Sequence, residues 1–277
     1  MHLELTGSAC GARIAGVNLA APLAPETIAA IRAAWLRHLV LIFPDQDMDA
    51  KALERFAVAM GGLYRDPFLA PLPGQSHIVA IQREADEISP IFADTWHSDW
   101  SFEKNPPAGT ALYAIDVPPS GGDTLFANQH SAWEELAEER KAQLIDKIAI
   151  HGARRGFATG GLYGDRDSGR TMDIRAADSA LATQNHPLVL QHPETGRQGL
   201  FGTWGYILGI EGMKQNPAAH LLLTLQNWQI QDRFVYRHRW EPGTLVLWDN
   251  RSTLHRATGG YEGRRRLLHR VTIAAPP

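Results

Sequence analysis

The feature that most limits the fold is the rhythm of the chain after Gly109. Short apolar or alternating runs (Ala111 to Asp116, Asp123 to Asn128, Lys147 to His151, Leu188 to Gln191, Thr244 to Trp248, Arg265 to Ile273) are separated by clusters of Gly, Pro, Asn and Asp. Strands this short, joined by turns, favour an antiparallel barrel or jelly roll over a βαβ sheet. Two helical stretches interrupt them. One runs from Ser131 to Leu144; the other is opened by Asn216-Pro217, an N-cap followed by a first-turn proline, and carries Leu221, Leu225, Trp228 and Ile230 as its apolar stripe.

The first hundred residues are mixed. An extended stretch (Leu3 to Thr6) precedes a helix with Ile28, Ile31 and Trp35 on one face, and the buried strand Val40 to Phe43 follows, stopped by Pro44-Asp45-Gln46-Asp47. A second helix is capped by Asp49, presents Leu53, Phe56 and Met60 at helical spacing, and stops at Gly61-Gly62. His77 to Gln82 reads as a strand. No repeat and no Pro/Ser-rich linker divides the 277 residues, a length that one large β domain reaches. The chain is therefore read as a single domain over 1–277, mainly β with peripheral helices. Five glycines among charges make 154–184 a long loop expected to be mobile, with a lid as one role.

Composition removes several classes of function. A net charge of −3, from 27 basic and 30 acidic residues, lacks the positive field that nonspecific nucleic-acid binding requires. Cys10 is alone, so there is no internal disulfide framework and no CxxC site, which fits a reducing cytoplasm. The N-terminus lacks a basic region followed by an apolar run, and no apolar cluster is long enough to span a bilayer. A cytoplasmic protein with a small-molecule partner is expected, its oligomeric state open and a homo-oligomer included.

Among twelve histidines, His97-Ser98-Asp99 and His192-Pro193-Glu194 are pairs with a carboxylate at i+2. In a strand, i and i+2 share a face, so either pair could present an imidazole and a carboxylate to one cation. The second contains Pro193 and runs into Thr195-Gly196. It reads as a hairpin turn with Glu194 in water and is set aside as a metal site. The first lies between Trp96 and Trp100-Ser101-Phe102, aromatics able to make a dry wall. A third ligand would come from elsewhere, and the plausible source is His255, after a strand and the polar turn Asp249-Asn250-Arg251. Two imidazoles and one carboxylate leave open positions on an octahedral metal, the arrangement of non-haem Fe(II) oxygenases. The following strand alternates Arg264, Arg266 and Arg270 with Arg265, Leu267 and His269. Periodicity alone would turn Leu267, Val271 and Ile273 inward and leave the arginines in solvent; an inward arginine would instead need an anion, which its guanidinium fork suits.

Taken together, His97-x-Asp99, the Gly121-Gly122-Asp123-Thr124 turn, His255 and Arg266 eleven residues beyond it resemble the taurine dioxygenase and chlorophenoxyacetate dioxygenase family. The resemblance runs from the N-terminal helices to Arg270. It implies a distorted double-stranded β-helix (jelly roll) and an Fe(II)- and 2-oxoglutarate-dependent oxygenase that uses O2 and releases succinate and CO2. It also implies that His97, Asp99 and His255 ligate iron, that Thr124 and Arg266 hold the distal carboxylate of 2-oxoglutarate, and that Arg266 and Arg270 face the barrel interior.

Departures from the family bear on the substrate. Asp66 stands where taurine-using members place a histidine, and a carboxylate there would repel a sulfonate. The segment Gly199 to Gly205 also departs from the family spelling, so Trp204 and Tyr206 become candidate pocket residues. Arg270, Asp66, Trp100 and Trp204 are the candidate substrate contacts, and with Phe102, Phe201 and Tyr206 they suggest an organic acid with an apolar or aromatic body. A Zn- or Mn-dependent hydrolase, or a non-catalytic jelly-roll protein that binds a small acid, are the alternative readings of the same residues.

Overall fold

A computed structural model describes residues 1–275 apart from Ser8, Arg166 and Ser168. The elements in order are β1 (His2–Leu5), β2 (Ala12–Ala15), α1 (Pro25–His38), β3 (Val40–Phe43), α2 (Ala50–Met60), β4 (Leu63–Tyr64), β5 (Ile78–Arg83), β6 (Gly109–Asp116), β7 (Thr124–Asn128), α3 (Gln129–Glu134) and α4 (Glu138–Leu144). There follow β8 (Ile148–Gly152), α5 (Arg154–Phe157), β9 (Thr183–Pro187), β10 (Val189–Gln191), β11 (Gln198–Leu200), β12 (Ile207–Ile210), α6 (Gln215–Gln229), β13 (Val235–His238), β14 (Leu245–Asp249), β15 (Thr253–Ala257) and β16 (Arg266–Ile273).

The large sheet has the order β1-β2-β3-β14-β6-β16-β4, with β5 also paired to β16, and every pairing in it but β2–β3 is antiparallel. Opposite it lies the antiparallel sheet β13-β7-β15, and β12-β8-β9 and the hairpin β10-β11 complete a jelly roll. Consecutive side chains of a strand point to opposite faces, and the central strands of the large sheet spend both. Leu245 and Leu247 of β14, Ala111 and Tyr113 of β6, and Val271 and Ile273 of β16 pack toward α1 and α2 with Ile31, Trp35, Leu53 and Phe56. The alternate residues Val246, Trp248, Leu112, Ala114 and Leu268 meet Phe126 of β7 inside the barrel. Arg266 and Arg270 share the parity of Leu268, so the β16 arginines point inward, both 5% exposed.

Local signals placed several elements well. Asp49 caps α2, its carboxylate accepting from Ala52 N at 2.7 Å. The expected helix Ser131–Leu144 is two. Asn128 caps α3 by accepting from Ser131 N at 3.1 Å, and extended Ala137 separates it from α4, whose first-turn Glu138 and Glu139 suit a helix N-terminus. The cap of α6 is Lys214, not Asn216; Asn216 and Pro217 fall inside the first turn, where a missing N–H costs no intrahelical bond. The segment 154–184 is built rather than bare, with α5, a 3₁₀ turn at Asp178–Leu181, an isolated bridge from Leu69 to Ile174 and the start of β9. Glu194 lies in the predicted β10–β11 hairpin but not in free solvent: it accepts from Arg251 at 2.7 Å and from Arg32 at 2.5 Å. Among the described residues no helix is long and apolar enough to cross a membrane.

Gly109, at the start of β6, tests this packing. A Cβ there would lie 2.3 Å from Cζ2 of Trp35 and 2.6 Å from the carbonyl oxygen of Trp248, which a strand cannot move aside. Gly109→Ala should lower the unfolding free energy by about 3 kcal/mol, the upper end for overpacking, while Gly160→Ala, with nothing within 4 Å, should change it by no more than about 0.5 kcal/mol. Denaturant unfolding of both variants measures the contrast.

Candidate metal and anion site

The two candidate histidines, far apart in sequence, are joined directly through their backbones. His97 N donates to His255 O at 3.0 Å and His255 N donates to His97 O at 2.8 Å, an isolated antiparallel bridge outside the regular sheets. The imidazole centroids lie 4.2 Å apart. His255 belongs to β15, a strand not read from the sequence, and its ring packs on Trp248 at 4.8 Å and parallel to Phe126 at 6.2 Å. Asp99 follows on the other side of the bridge. Its Oδ1 stands 3.5 Å from His97 Nε2 and 3.7 Å from His255 Nε2, too far for strong hydrogen bonds. One donor atom from each of the three residues lies within 4.8 Å of the others, and all three residues are buried.

The surroundings put these groups in the states a divalent cation needs. His97 Nδ1 lies 2.8 Å from Thr95 O, which fixes a proton on Nδ1 and turns Nε2 toward Asp99. Burial, with His97 nearby, depresses His255 to about 3, so its imidazole is neutral near pH 7. Burial alone would raise Asp99, but Arg270 and the two histidines overcome it and hold the carboxyl well below its ordinary range. The neutral His255 imidazole and the ionised Asp99 carboxylate are in the forms that bind a metal.

A polar relay behind Asp99 was not legible as function in the sequence. Thr110 Oγ1 donates to Asp99 Oδ2 at 2.7 Å and accepts from Asn250 Nδ2 at 3.1 Å, while Ser98 Oγ donates to Asn250 O. The turn between β14 and β15 thus holds the Asp99 carboxylate through Thr110 and the His97–Asp99 segment through the Ser98 side chain. The available signal was a threonine inside the apolar run of β6 and an asparagine beside Trp248-Asp249. Trp100, at φ +50°, occupies the left-handed region that a bulky residue enters only when its surroundings compel it, and there it follows Asp99 directly.

These groups open into a cavity of about 380 Å³. Arg266 lines it between the rings of Trp240 and Tyr261, at 5.9 and 6.0 Å, with Nη2 donating to Gly122 O at 3.2 Å. Its Nε has no partner, and no carboxylate pairs with it among the described residues. Thr124 lines the same wall and accepts from Trp240 Nε1 at 3.0 Å, which leaves its hydroxyl proton free to donate. A buried guanidinium without a carboxylate is a poised anion acceptor.

Arg270, also in the cavity, is differently placed. Its Nη2 is 3.1 Å from Asp99 Oδ2, its Nη1 is 3.7 Å from Asp66 Oδ2, and it lies over the Trp100 ring at 5.0 Å. Asp66, an expected substrate contact, does not line this cavity. It stands behind Arg270, accepting from Phe68 N and Leu69 N, and burial pushes it up to about 6 despite Arg270 and those two N–H groups. Trp100, Trp204 and Tyr206 line the cavity; Phe102 and Phe201 do not, because Phe102 packs against Phe68 and Trp100 and Phe201 against His151. The outer wall comes from 154–184 through Arg155, Phe157, Leu162, Tyr163, Arg170 and Met172.

The whole chain matches characterised proteins. The model of "Taurine catabolism dioxygenase TauD, TfdA family" matches residues 2–272. An alpha-ketoglutarate-dependent sulfate ester dioxygenase of Pseudomonas putida is 32% identical, across 95% of this chain and 86% of that one. An (S)-phenoxypropionate/alpha-ketoglutarate-dioxygenase of Delftia acidovorans is 31% identical, across 93% and 89%. The crystal structure of a taurine dioxygenase from Burkholderia xenovorans superposes with a TM-score of 0.80 at 27% identity, covering 99% of this chain and 90% of that one.

The relay behind Asp99 can be tested apart from chemistry. Thr110→Val keeps the shape of the side chain but strands the Asn250 amide and removes a donor from Asp99 Oδ2, so stability should fall by about 1–3 kcal/mol. Divalent-cation affinity, measured by calorimetric titration, should fall as well, and an unchanged affinity would show that the relay does not orient the carboxylate.

Proposed function

The chain belongs to the taurine catabolism dioxygenase TauD, TfdA family, and on that footing we propose that it hydroxylates a small organic acid at an Fe(II) centre held by His97, Asp99 and His255. As a 2-oxoglutarate-dependent dioxygenase it uses Fe(II), 2-oxoglutarate and O2. The observation that carries the assignment of residues is the convergence of three buried donor atoms in the same cavity as Arg266, a buried cation without a carboxylate. Family membership sets aside the hydrolase and the non-catalytic binder.

Each group then has one task. Arg266 takes the distal carboxylate of 2-oxoglutarate in a charge-assisted fork, and Thr124, whose oxygen already accepts from Trp240, donates its proton to the same carboxylate. When bound, Fe(II) supplies the oxidative chemistry that couples decarboxylation of 2-oxoglutarate, to succinate and CO2, with oxygenation of the substrate. Arg270 holds Asp99 ionised and turned toward the histidines. Trp100, Tyr206 and Trp248 keep water away from the reacting groups.

An anionic substrate is supported by the sulfate ester and phenoxypropionate relatives. Asp66 does not oppose it, because its charge faces Arg270 rather than the cavity. We read the whole chain as one catalytic domain whose segment 154–184 opens to admit substrate, as supported by its share of the cavity wall. The lone, buried Cys10, its thiol pushed up to about 12 by burial, fits a cytoplasmic location.

His97→Ala, Asp99→Ala, Asp99→Asn and His255→Ala should each abolish substrate-dependent succinate formation and weaken anaerobic Fe(II) binding, since each loses one of three donors or the set's only anion. Wild-type iron affinity in any of them removes that residue from the assignment. Arg266→Ala should raise the KM for 2-oxoglutarate about 10- to 100-fold, matching the roughly 1.5–3 kcal/mol of a charge-assisted bond. Thr124→Ala should raise it only severalfold, matching roughly 0.5–1.5 kcal/mol for a neutral one. Steady-state succinate assays measure the difference.

A further inference from the structure

Five arginines line the cavity, and their partners divide them. Arg83 pairs with Glu87, Arg170 with Asp167, and Arg270 with Asp99 and Asp66. Only Arg266 and Arg155 have no carboxylate among the described residues. Arg266 is accounted for by the cosubstrate, which leaves Arg155.

Arg155 sits in α5 with its guanidinium stacked on the Trp204 ring at 4.0 Å. Its Nη1 donates to the carbonyls of Trp204 and Ile207, so the fork is fixed from one end; Nε and Nη2 have no hydrogen-bond partner among the described residues and remain available to an acceptor in the cavity. The neighbouring charge it feels most is Arg154, of the same sign. The loop it holds is close to the metal donors: a Cβ on Gly205 would lie 3.7 Å from His97 Cβ, and the Tyr206 ring meets the His97 imidazole edge-on at 5.8 Å. An uncompensated, half-buried cation on an aromatic plate, in the wall that touches His97, is therefore held ready for an anion that the protein itself does not supply.

We propose that Arg155, braced by Trp204, is the subsite that binds the acid group of the substrate. This rests on the reading of the cavity as a dioxygenase site and assigns the carboxylate, sulfonate or sulfate of the substrate to Arg155 rather than Arg270. Arg270 already faces two carboxylates, and a third anion beside it would also face Asp99 and Asp66. The apolar body of the substrate then lies along Leu162 and Met172 of the same segment and Phe92, whose ring packs on Tyr163 at 5.1 Å.

The test is anaerobic calorimetry on protein loaded with Fe(II) and 2-oxoglutarate, using phenoxyacetate against phenoxyacetamide and hexyl sulfate against hexanol. Wild type should bind at least one acid ten or more times tighter than its neutral partner, and which acid shows the larger ratio separates carboxylate from sulfate. Arg155→Gln keeps a donor for the Trp204 carbonyl but removes the charge, and should bring that ratio to within about twofold of one without altering affinity for 2-oxoglutarate or for the neutral partner. Arg155→Lys should restore part of the preference. The proposal is overturned if wild type shows no acid preference, if the preference survives Arg155→Gln, or if acid and neutral affinities fall together, the pattern of a merely structural residue. Loss of Fe(II) and 2-oxoglutarate binding in wild type would instead overturn the reading of the site itself.

Discussion

The site depends on one pair of hydrogen bonds, those between the backbones of His97 and His255. Two residues from distant parts of the chain are brought to adjacent positions without a regular strand joining them, so the spacing of their imidazoles is set by peptide geometry rather than by flexible side chains. This geometry needs β15 to be in place, and β15 is held by β7 along its length. β7 in turn begins at Thr124, so the strand that fixes the metal donors also carries a hydroxyl of the anion wall. Metal and cosubstrate groups therefore cannot shift independently of one another.

Burying so many charged and polar groups is tolerable only because most are paired. Asp249, fully buried, accepts from Nε and Nη2 of the Arg251 guanidinium and from the Arg251 backbone, and it lies 3.1 Å from His192 Nε2; Arg251 continues to Glu194, and Glu194 to Arg32 of α1. This chain of charges ties the β10–β11 hairpin and the first helix to the turn that grips Asp99. Removing Asp249 or Arg251 would leave an uncompensated buried charge, a loss of about 3–5 kcal/mol. The same rule gives the two exceptions in the cavity, Arg266 and Arg155, their meaning.

Much of this could be read from the residues. Strand β3 and helix α2 were legible because Val40–Phe43 is a short apolar block and Asp49 and Gly61-Gly62 bracket a helical stripe. The His97, Asp99 and His255 triplet was legible through its resemblance to a family, since its third member lies on a strand whose polar residues gave no strand signal. What stayed hidden depends on tertiary contact. Nothing local to Glu194 announces two arginines from other elements, and Asp66 could not be placed behind Arg270 until β16 and the loop after β4 were brought together. On β16 alternation was ambiguous because both faces are buried, one against α1 and α2 and the other in the barrel.

The origins of the cavity's parts have a consequence for how such an enzyme can change. The groups proposed to hold iron and 2-oxoglutarate sit on β7, β15 and β16, all bound into sheets, and on the His97–Asp99 segment tied to β15 by the backbone bridge. The outer wall, by contrast, comes largely from one stretch between Arg155 and Met172 whose described residues add no strand to the barrel. Insertions, deletions or wholesale replacement within that stretch can reshape what the pocket accepts while leaving the oxidising machinery untouched. The protein is thus divided into a sheet-bound reactor and an exchangeable mould, and directed evolution confined to fewer than twenty residues would explore most of its substrate range.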